Sequence, residues 1–192
     1  MSILTKKLIH YFTGKRVLVT GASGYIATNL LYQLRQVDCH ITRLSRNKSL
    51  SPLNGLAEIE DVSGSVTDPK IWNKVLSDID VIYHLAAQTS VYEAERNPLD
   101  DFSENVMPML LMLETCRQKK IKPVIVFSGT VTQVGLTNRE SPPIDESQQD
   151  EPISIYDIHK KAAETYLKHY DNEGHVYGIT LRLPNIYGPG PV

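Results

Sequence analysis

The sequence predicts a doubly wound α/β fold, a parallel sheet with helices on both faces. Three observations predict it. Short apolar runs bounded by turn residues recur along the chain, helical periodicity fills the gaps between them, and a glycine-containing turn follows the first run. The 192 residues suit one domain with a sizeable core.

The expected strands are residues 16–20, 40–45, 58–63, 81–85, 124–128 and 177–183, about six in all. Such apolar runs suit strands buried on both faces. Helices are expected at 25–36, 69–76, 99–119 and 154–172, and residues 4–12 read as an extra amphipathic helix before the first strand. Pro108 falls inside the fourth of these five helices, where it should kink the helix or remove a hydrogen bond. The loop at 135–152 is rich in Ser, Pro, Asp, Glu and Gln and is expected on the surface. No internal repeat, linker or low-complexity tract interrupts the alternation.

Composition excludes several function classes. Hydrophobic residues make up 41%, charged residues 22%, and the net charge is −2. There is no basic excess for nucleic acid or an anionic membrane surface. Lys6-Lys7 and Lys119-Lys120 read as solvated helix ends. Residues 1–12 lack the apolar core and cleavage site of a secretory signal. The longest apolar stretch, near 107–113, is too short to span a bilayer. Cys39 and Cys116 cannot build a disulfide framework and read as buried thiols of a reducing compartment. No Cys/His cluster has metal-ligand spacing, so no metal is expected. A cytoplasmic location fits these features.

The turn after the first strand reads Thr20-Gly21-Ala-Ser-Gly24-Tyr-Ile-Ala27. Gly21 permits a tight turn, Gly24 lets a pyrophosphate approach the backbone, and Ala27 allows close helix–strand packing. A diphosphate there would meet the free N–H groups and positive end of the following helix. The strand-then-helix context makes this a Rossmann-type dinucleotide turn. NAD-preferring folds place an acid at the end of the second strand to bind the ribose 2′-hydroxyl. Here Ser45 and Arg46 occupy that place, 24 positions after Gly21. A hydroxyl and a guanidinium suit a 2′-phosphate, so NADP is favoured over NAD. The alternative, in which Arg43 and Arg46 simply face water, stays open.

Tyr156-Asp-Ile-His-Lys160 places a phenol and an ammonium one helical turn apart on one face. A tyrosine working near pH 7 must drop about three units from roughly 10, about 4 kcal/mol. A neighbouring cation, Lys160 or a bound nicotinamide, stabilises phenolate and could supply that. The spacing alone is weak: Tyr11 and Lys15 share it where no site is expected.

Taken in order, the glycine turn, Tyr83-His-Leu-Ala-Ala87, Asn105, Phe127-Ser-Gly-Thr130, Tyr156/Lys160 and Arg182-Leu-Pro-Asn-Ile-Tyr-Gly-Pro-Gly190 decide the matter. Over residues 15–191 the chain resembles the extended short-chain dehydrogenase/reductase family, in its nucleotide-sugar epimerase/dehydratase branch. The resemblance implies roles. Tyr156 would be the acid/base on a sugar hydroxyl, and Lys160 would lower its pKa and hold the nicotinamide ribose. Thr130 would hydrogen-bond the reacting oxygen, with Ser128 as runner-up, and Asn105 would be the active-site asparagine. Gly21, Ser23, Gly24, Tyr25, Ile26, Ser45, Arg46, Val66, Leu85, Ala86, Ala87, Tyr156, Lys160 and Pro184 would contact the cofactor. Gln88, Ser128 and Asn185 would contact the substrate.

There are departures. Ser65 replaces an acid near the adenine, and Pro108-Met109 replaces a Gly-Thr pair. The chain also stops at Val192, where members of the family continue into a small C-terminal domain that grips the nucleotide; by this reading residues 1–192 are the cofactor-binding part and that domain is absent. Thr130 is followed by Val131-Thr132, which cannot transfer protons as a dehydratase requires. The expected function is therefore nucleotide-sugar epimerisation by hydride exchange at C4. A 4-ketoreductase and a non-catalytic dinucleotide-binding regulator are the alternatives, and the chain alone is expected to turn over poorly. Relatives often pair through the fourth and fifth helices, so a homodimer is a further expectation.

Overall fold

The computed structural model describes residues 3–47, 50–136 and 143–190. Six strands form one parallel sheet: β1 (Arg16–Thr20), β2 (His40–Ser45), β3 (Glu58–Ser63), β4 (Val81–His84), β5 (Val124–Thr130) and β6 (Tyr177–Leu183). Their order across the sheet is β3-β2-β1-β4-β5-β6. The chain winds outward from β1 one way and from β4 the other, so their carboxyl ends form the switch point where such sheets bind ligands.

Side-chain alternation on β1 sends its residues into two cores. Val17 and Val19 pack with Ala27, Leu31 and Leu34 of α2 (Tyr25–Leu34) and Phe12 of α1 (Ile3–Phe12). Leu18 joins Trp72 of α3 (Pro69–Val75), Met109, Met112 and Leu113 of α6 (Met107–Lys119), and Leu167 of α7 (Ile155–Asn172) on the other face. Both thiols are free and buried, with Cys39 lying just before β2.

The expected helix at 99–119 is two helices. α5 (Pro98–Asn105) ends at Val106, and Pro108 stands in the first turn of α6. A proline has no N–H to lose at a helix start, so it opens a second helix here instead of kinking one. A short helix that the periodicity missed, α4 (Val91–Arg96), precedes them; Ser90 caps it by accepting from the Glu93 N–H at 3.3 Å. β4 stops one residue early, because the Leu85 and Ala86 N–H groups both donate to Thr20 Oγ1 at 3.1 Å. β5 runs two residues further than expected. Lys119 is not a free solvated end: its ammonium donates to the Asn73 carbonyl at 2.6 Å. In the 135–152 loop, residues 143–149 are exposed while Asp150 holds Arg182 at 2.9 Å; residues 137–142 lie outside the described residues. So do Pro191, Val192 and the side chain of Lys6. Among the described residues no helix is long and apolar enough to cross a membrane, and no group of His, Cys, Asp and Glu could hold a metal.

Candidate cofactor and catalytic site

The carboxyl ends of β1 and β4 are clamped by Thr20. Its hydroxyl accepts the two N–H groups from the strand beyond His84 and lies 3.0 Å from His84 Nδ1. Having accepted twice, it donates its own hydrogen to Nδ1, which fixes the imidazole tautomer. Burial keeps His84 neutral, its pKa down to about 3, and the nearby Lys160 charge adds to this. Gly21 then turns at φ +65, and a Cβ there would stand 2.8 Å from the Ala86 nitrogen and 2.9 Å from its Cα. Only glycine fits. Gly24 starts α2 without a side-chain cap, leaving the first N–H groups of that helix open.

Above this turn lies a cleft of about 320 Å³, lined by Gly21, Ser23, Gly24, Ser45, Arg46, Val66, Leu85, Ala86 and Ala87, with Leu44, Asn47, Gly64, Ser65, Thr67 and Glu104. A glycine cradle against alanine backbone, uncapped helix N–H groups and a guanidinium suit a dinucleotide diphosphate and its ribose. Tyr25, Ile26, Tyr156, Lys160 and Pro184 do not line the cleft. Tyr25 instead reaches the segment after β6, its hydroxyl 3.5 Å from the Pro189 carbonyl.

The two arginines divide. Arg43 is buried and grips Asp61, its strand neighbour in register, at 2.6 and 2.7 Å. This corrects the alternative in which both face water. Arg46 is exposed and reaches across the cleft to Glu104 at 3.4 Å. Ser45 is buried, its hydroxyl donating to Ser23 at 3.2 Å.

The second half of the site lies where β5 gives way to α7. Ser154 caps α7: its hydroxyl accepts from the Asp157 N–H at 3.1 Å and donates to the Asp157 carboxyl at 2.6 Å. Thr132 also donates to that carboxyl, and Thr132 lies 2.7 Å from Thr130 Oγ1. Thr130 accepts the Thr132 N–H at 3.2 Å, so its hydroxyl caps the turn beyond β5. Ser128 is freer, with one long contact to the His84 carbonyl at 3.4 Å.

Tyr156 and Lys160 occupy the first turns of α7. Lys160 is 2% exposed, and its ammonium sits 4.3 Å from the centroid of the Phe127 ring. Burial brings its pKa down to about 8, opposed by the Asp101 charge. Tyr156 is half-buried, and its pKa is raised by burial and then by the charges of Asp157 and Asp101.

A family model for the NAD dependent epimerase/dehydratase family matches residues 17–192. The chain belongs to that family. It is 29% identical to UDP-glucuronate 4-epimerase 1 of Arabidopsis thaliana over 97% of this chain and 46% of that protein. Among solved structures it resembles UDP-glucose 4-epimerase of Thermotoga maritima, determined with UDP-glucose, at 27% identity and TM-score 0.79, over 91% of this chain and 57% of the other. It also resembles MoeE5, determined with UDP-glucuronic acid and NAD, at 25% identity and TM-score 0.80, covering 91% and 56%. The chain spans about half the length of these relatives.

Two residues that no sequence motif singles out stand at the centre of this site, Asp101 and His159. Asp101 accepts from Gln88 Nε2 at 2.8 Å, Asn105 Nδ2 at 2.9 Å and His159 Nδ1 at 2.6 Å. Asn105 is buried, and its Oδ1 has no partner among the described residues. Gln88, expected to face substrate, uses its amide on Asp101 and Ser90 instead. Pro184 and Asn185 are exposed in the segment after β6. No local pattern pointed to Asp101 or His159: each is one polar residue in a helix, and they are 58 positions apart.

Proposed function

We propose that the chain is the dinucleotide-binding part of a nucleotide-sugar 4-epimerase in which Tyr156 moves the hydroxyl proton. The observation that carries this is the glycine-cradled cleft at the carboxyl ends of β1 and β4, with Lys160 of α7 set over Phe127 of the neighbouring β5. A bound nicotinamide dinucleotide supplies the hydride acceptor and donor. Lys160, an ammonium below about pH 8, donates to ribose hydroxyls. Thr130 or the freer Ser128 holds the reacting oxygen, and the unpartnered Asn105 Oδ1 accepts from a bound group. Tyr156 would take the proton; burial raises its pKa, and a bound nicotinamide cation would supply the opposing charge.

The relatives whose names specify UDP-sugar 4-epimerases support the substrate class. The absence of an acid at the end of β2, with Ser45, Arg46 and Asn47 in the cleft, supports NADP over NAD. That same feature favours a 4-ketoreductase as the second reading. Mass spectrometry of the purified protein tests both readings: a bound dinucleotide with a nucleotide sugar is expected. A protein carrying neither, and binding neither on titration, rejects the proposal. Two free buried thiols fit a cytoplasmic enzyme.

The homodimer expectation falls on Phe102 and Met107 of α5 and α6 and on Ile158 and Tyr166 of α7, all exposed. With Ala162 these α7 residues form an apolar stripe at helical spacing. Ile158→Arg is expected to give a monomer in sedimentation; an unchanged mass rejects that surface.

A further inference from the structure

Asp101 is 1% exposed, and its three donors come from three places: the segment after β4, its own helix one turn on, and α7. A carboxylate only accepts, so His159 Nδ1 carries the hydrogen in the 2.6 Å contact. His159 directly precedes Lys160 and lies three residues after Tyr156, and its ring packs edge-on to Phe102 of α5 at 5.6 Å. Asn105 directs both amide hydrogens inward, to Asp101 and to the Gln88 carbonyl at 3.0 Å. One carboxyl thus ties the Tyr156–Lys160 turn of α7, the active-site asparagine of α5 and the loop after β4 into a single unit.

We propose that Asp101, acting through His159, is a positioning residue: it fixes the α7 turn that carries Tyr156 and Lys160 and sets a carboxylate charge beside that turn. This rests on the dinucleotide reading above.

The surroundings of Lys160 make the charge matter. β5 presents the face of Phe127, and β4 presents His84, neutral and hydrogen-bonded to Thr20. Asp101 of α5 is the charge that raises the Lys160 pKa against burial. The same charge raises the pKa of Tyr156, on the same helix. Asp101→Asn keeps the shape and removes the charge, so Lys160 must lose its proton at lower pH.

The test is NAD(H) and NADP(H) affinity of the protein as a function of pH. In the wild type, affinity is expected to fall as pH passes about 8, where Lys160 loses its proton. Asp101→Asn is expected to move that midpoint down. A purely structural tie would weaken binding at all pH values and leave the midpoint in place, which overturns the charge role. Should Asp101→Asn not fold, His159→Leu removes the tie and keeps the carboxyl. It should weaken binding severalfold, with His159→Gln, which retains a donor, regaining most of the loss. Equal affinity in wild type and His159→Leu overturns the positioning role. Failure of the folded wild type to bind either dinucleotide at any pH rejects the dinucleotide reading itself, a distinct result.

Discussion

The same sheet carries two tyrosine–lysine pairs with identical spacing, one at each edge. Tyr11 and Lys15 lie at the amino edge, where α1 ends and β1 begins. Tyr156 and Lys160 lie at the carboxyl edge, both within α7. Lys15 is partly exposed and bonded to Asp80 at 2.7 Å, and that hydrogen bond and charge raise its pKa. Lys160 is buried over an aromatic face, and its pKa falls to about 8. Four residues of separation therefore decide nothing. Burial and sheet edge turn one lysine into a salt-bridge partner and the other into a group that titrates near physiological pH. The lesson extends to the phenols: Tyr11 is 48% exposed, whereas burial and two carboxyls raise Tyr156.

Removing each phenol tests this comparison most severely. Tyr156→Phe is expected to reduce hydride transfer roughly 10²–10⁴-fold, the usual contribution of a positioned acid/base, with dinucleotide affinity preserved. Tyr11→Phe is expected to leave both unchanged. Stopped-flow measurement of dinucleotide absorbance reads the difference, and comparable rates in the two variants would erase the functional distinction between the edges.

A pair of glycines sharpens it next. Gly14 at the amino edge and Gly21 at the carboxyl edge both have positive φ, +73 and +65. A Cβ at Gly14 meets nothing within 4 Å, while one at Gly21 meets the Ala86 backbone. Gly14→Ala should cost about 1 kcal/mol of stability from the φ alone. Gly21→Ala should cost roughly 2–3 kcal/mol and abolish dinucleotide binding, because Ala86 or the turn must move. Denaturant melts and titration calorimetry separate the two. Equal losses would mean that the cradle is looser than its geometry.

How much of this was legible in the sequence follows from range. Val17-Leu-Val and Val124-Ile-Val announced buried strands, and Gly21 and Gly24 announced the turn, because those signals are local. Pro108 was visible but misplaced: the same residue kinks a helix or opens one, and the break at Val106 depends on how α5 and α6 pack. α4 was missed because six residues are too few to carry helical periodicity. Whether Arg43 faced water stayed open until the β2–β3 register set it beside Asp61. Asp101 and His159 were illegible for a related reason: their contact joins separate helices, and burial, which makes it matter, belongs to the fold.

The two edges also carry comparable ion pairs, and these give the smaller effects. Arg46–Glu104 spans the cleft at 3.4 Å, so on the proposed NADP reading a 2′-phosphate would compete with Glu104 for the guanidinium. Glu104→Gln should raise NADP(H) affinity severalfold and leave NAD(H) nearly unchanged, as read by fluorescence titration. A change in NAD(H) alone would place Glu104 at the ribose hydroxyl instead.

Lys15–Asp80 at the amino edge should act on stability only. Burial alone would raise the Asp80 pKa, but the Arg16 N–H at 2.9 Å and the Lys15 ammonium outweigh it, and the carboxyl ends below its ordinary value. A depressed carboxyl contributes stability that is complete above its unfolded pKa, about 4, and is lost as pH falls through the folded value. Because both partners are more than a third exposed, water screens the pair, and Asp80→Asn should cost about 1 kcal/mol or less at neutral pH. The difference should vanish once pH falls below the folded-state pKa, where the wild-type carboxyl is protonated too. Parallel denaturant melts across that range check the sign. A gap that persists in acid would mean that Asp80 stabilises the amino edge through its hydrogen-bond geometry and not through its charge.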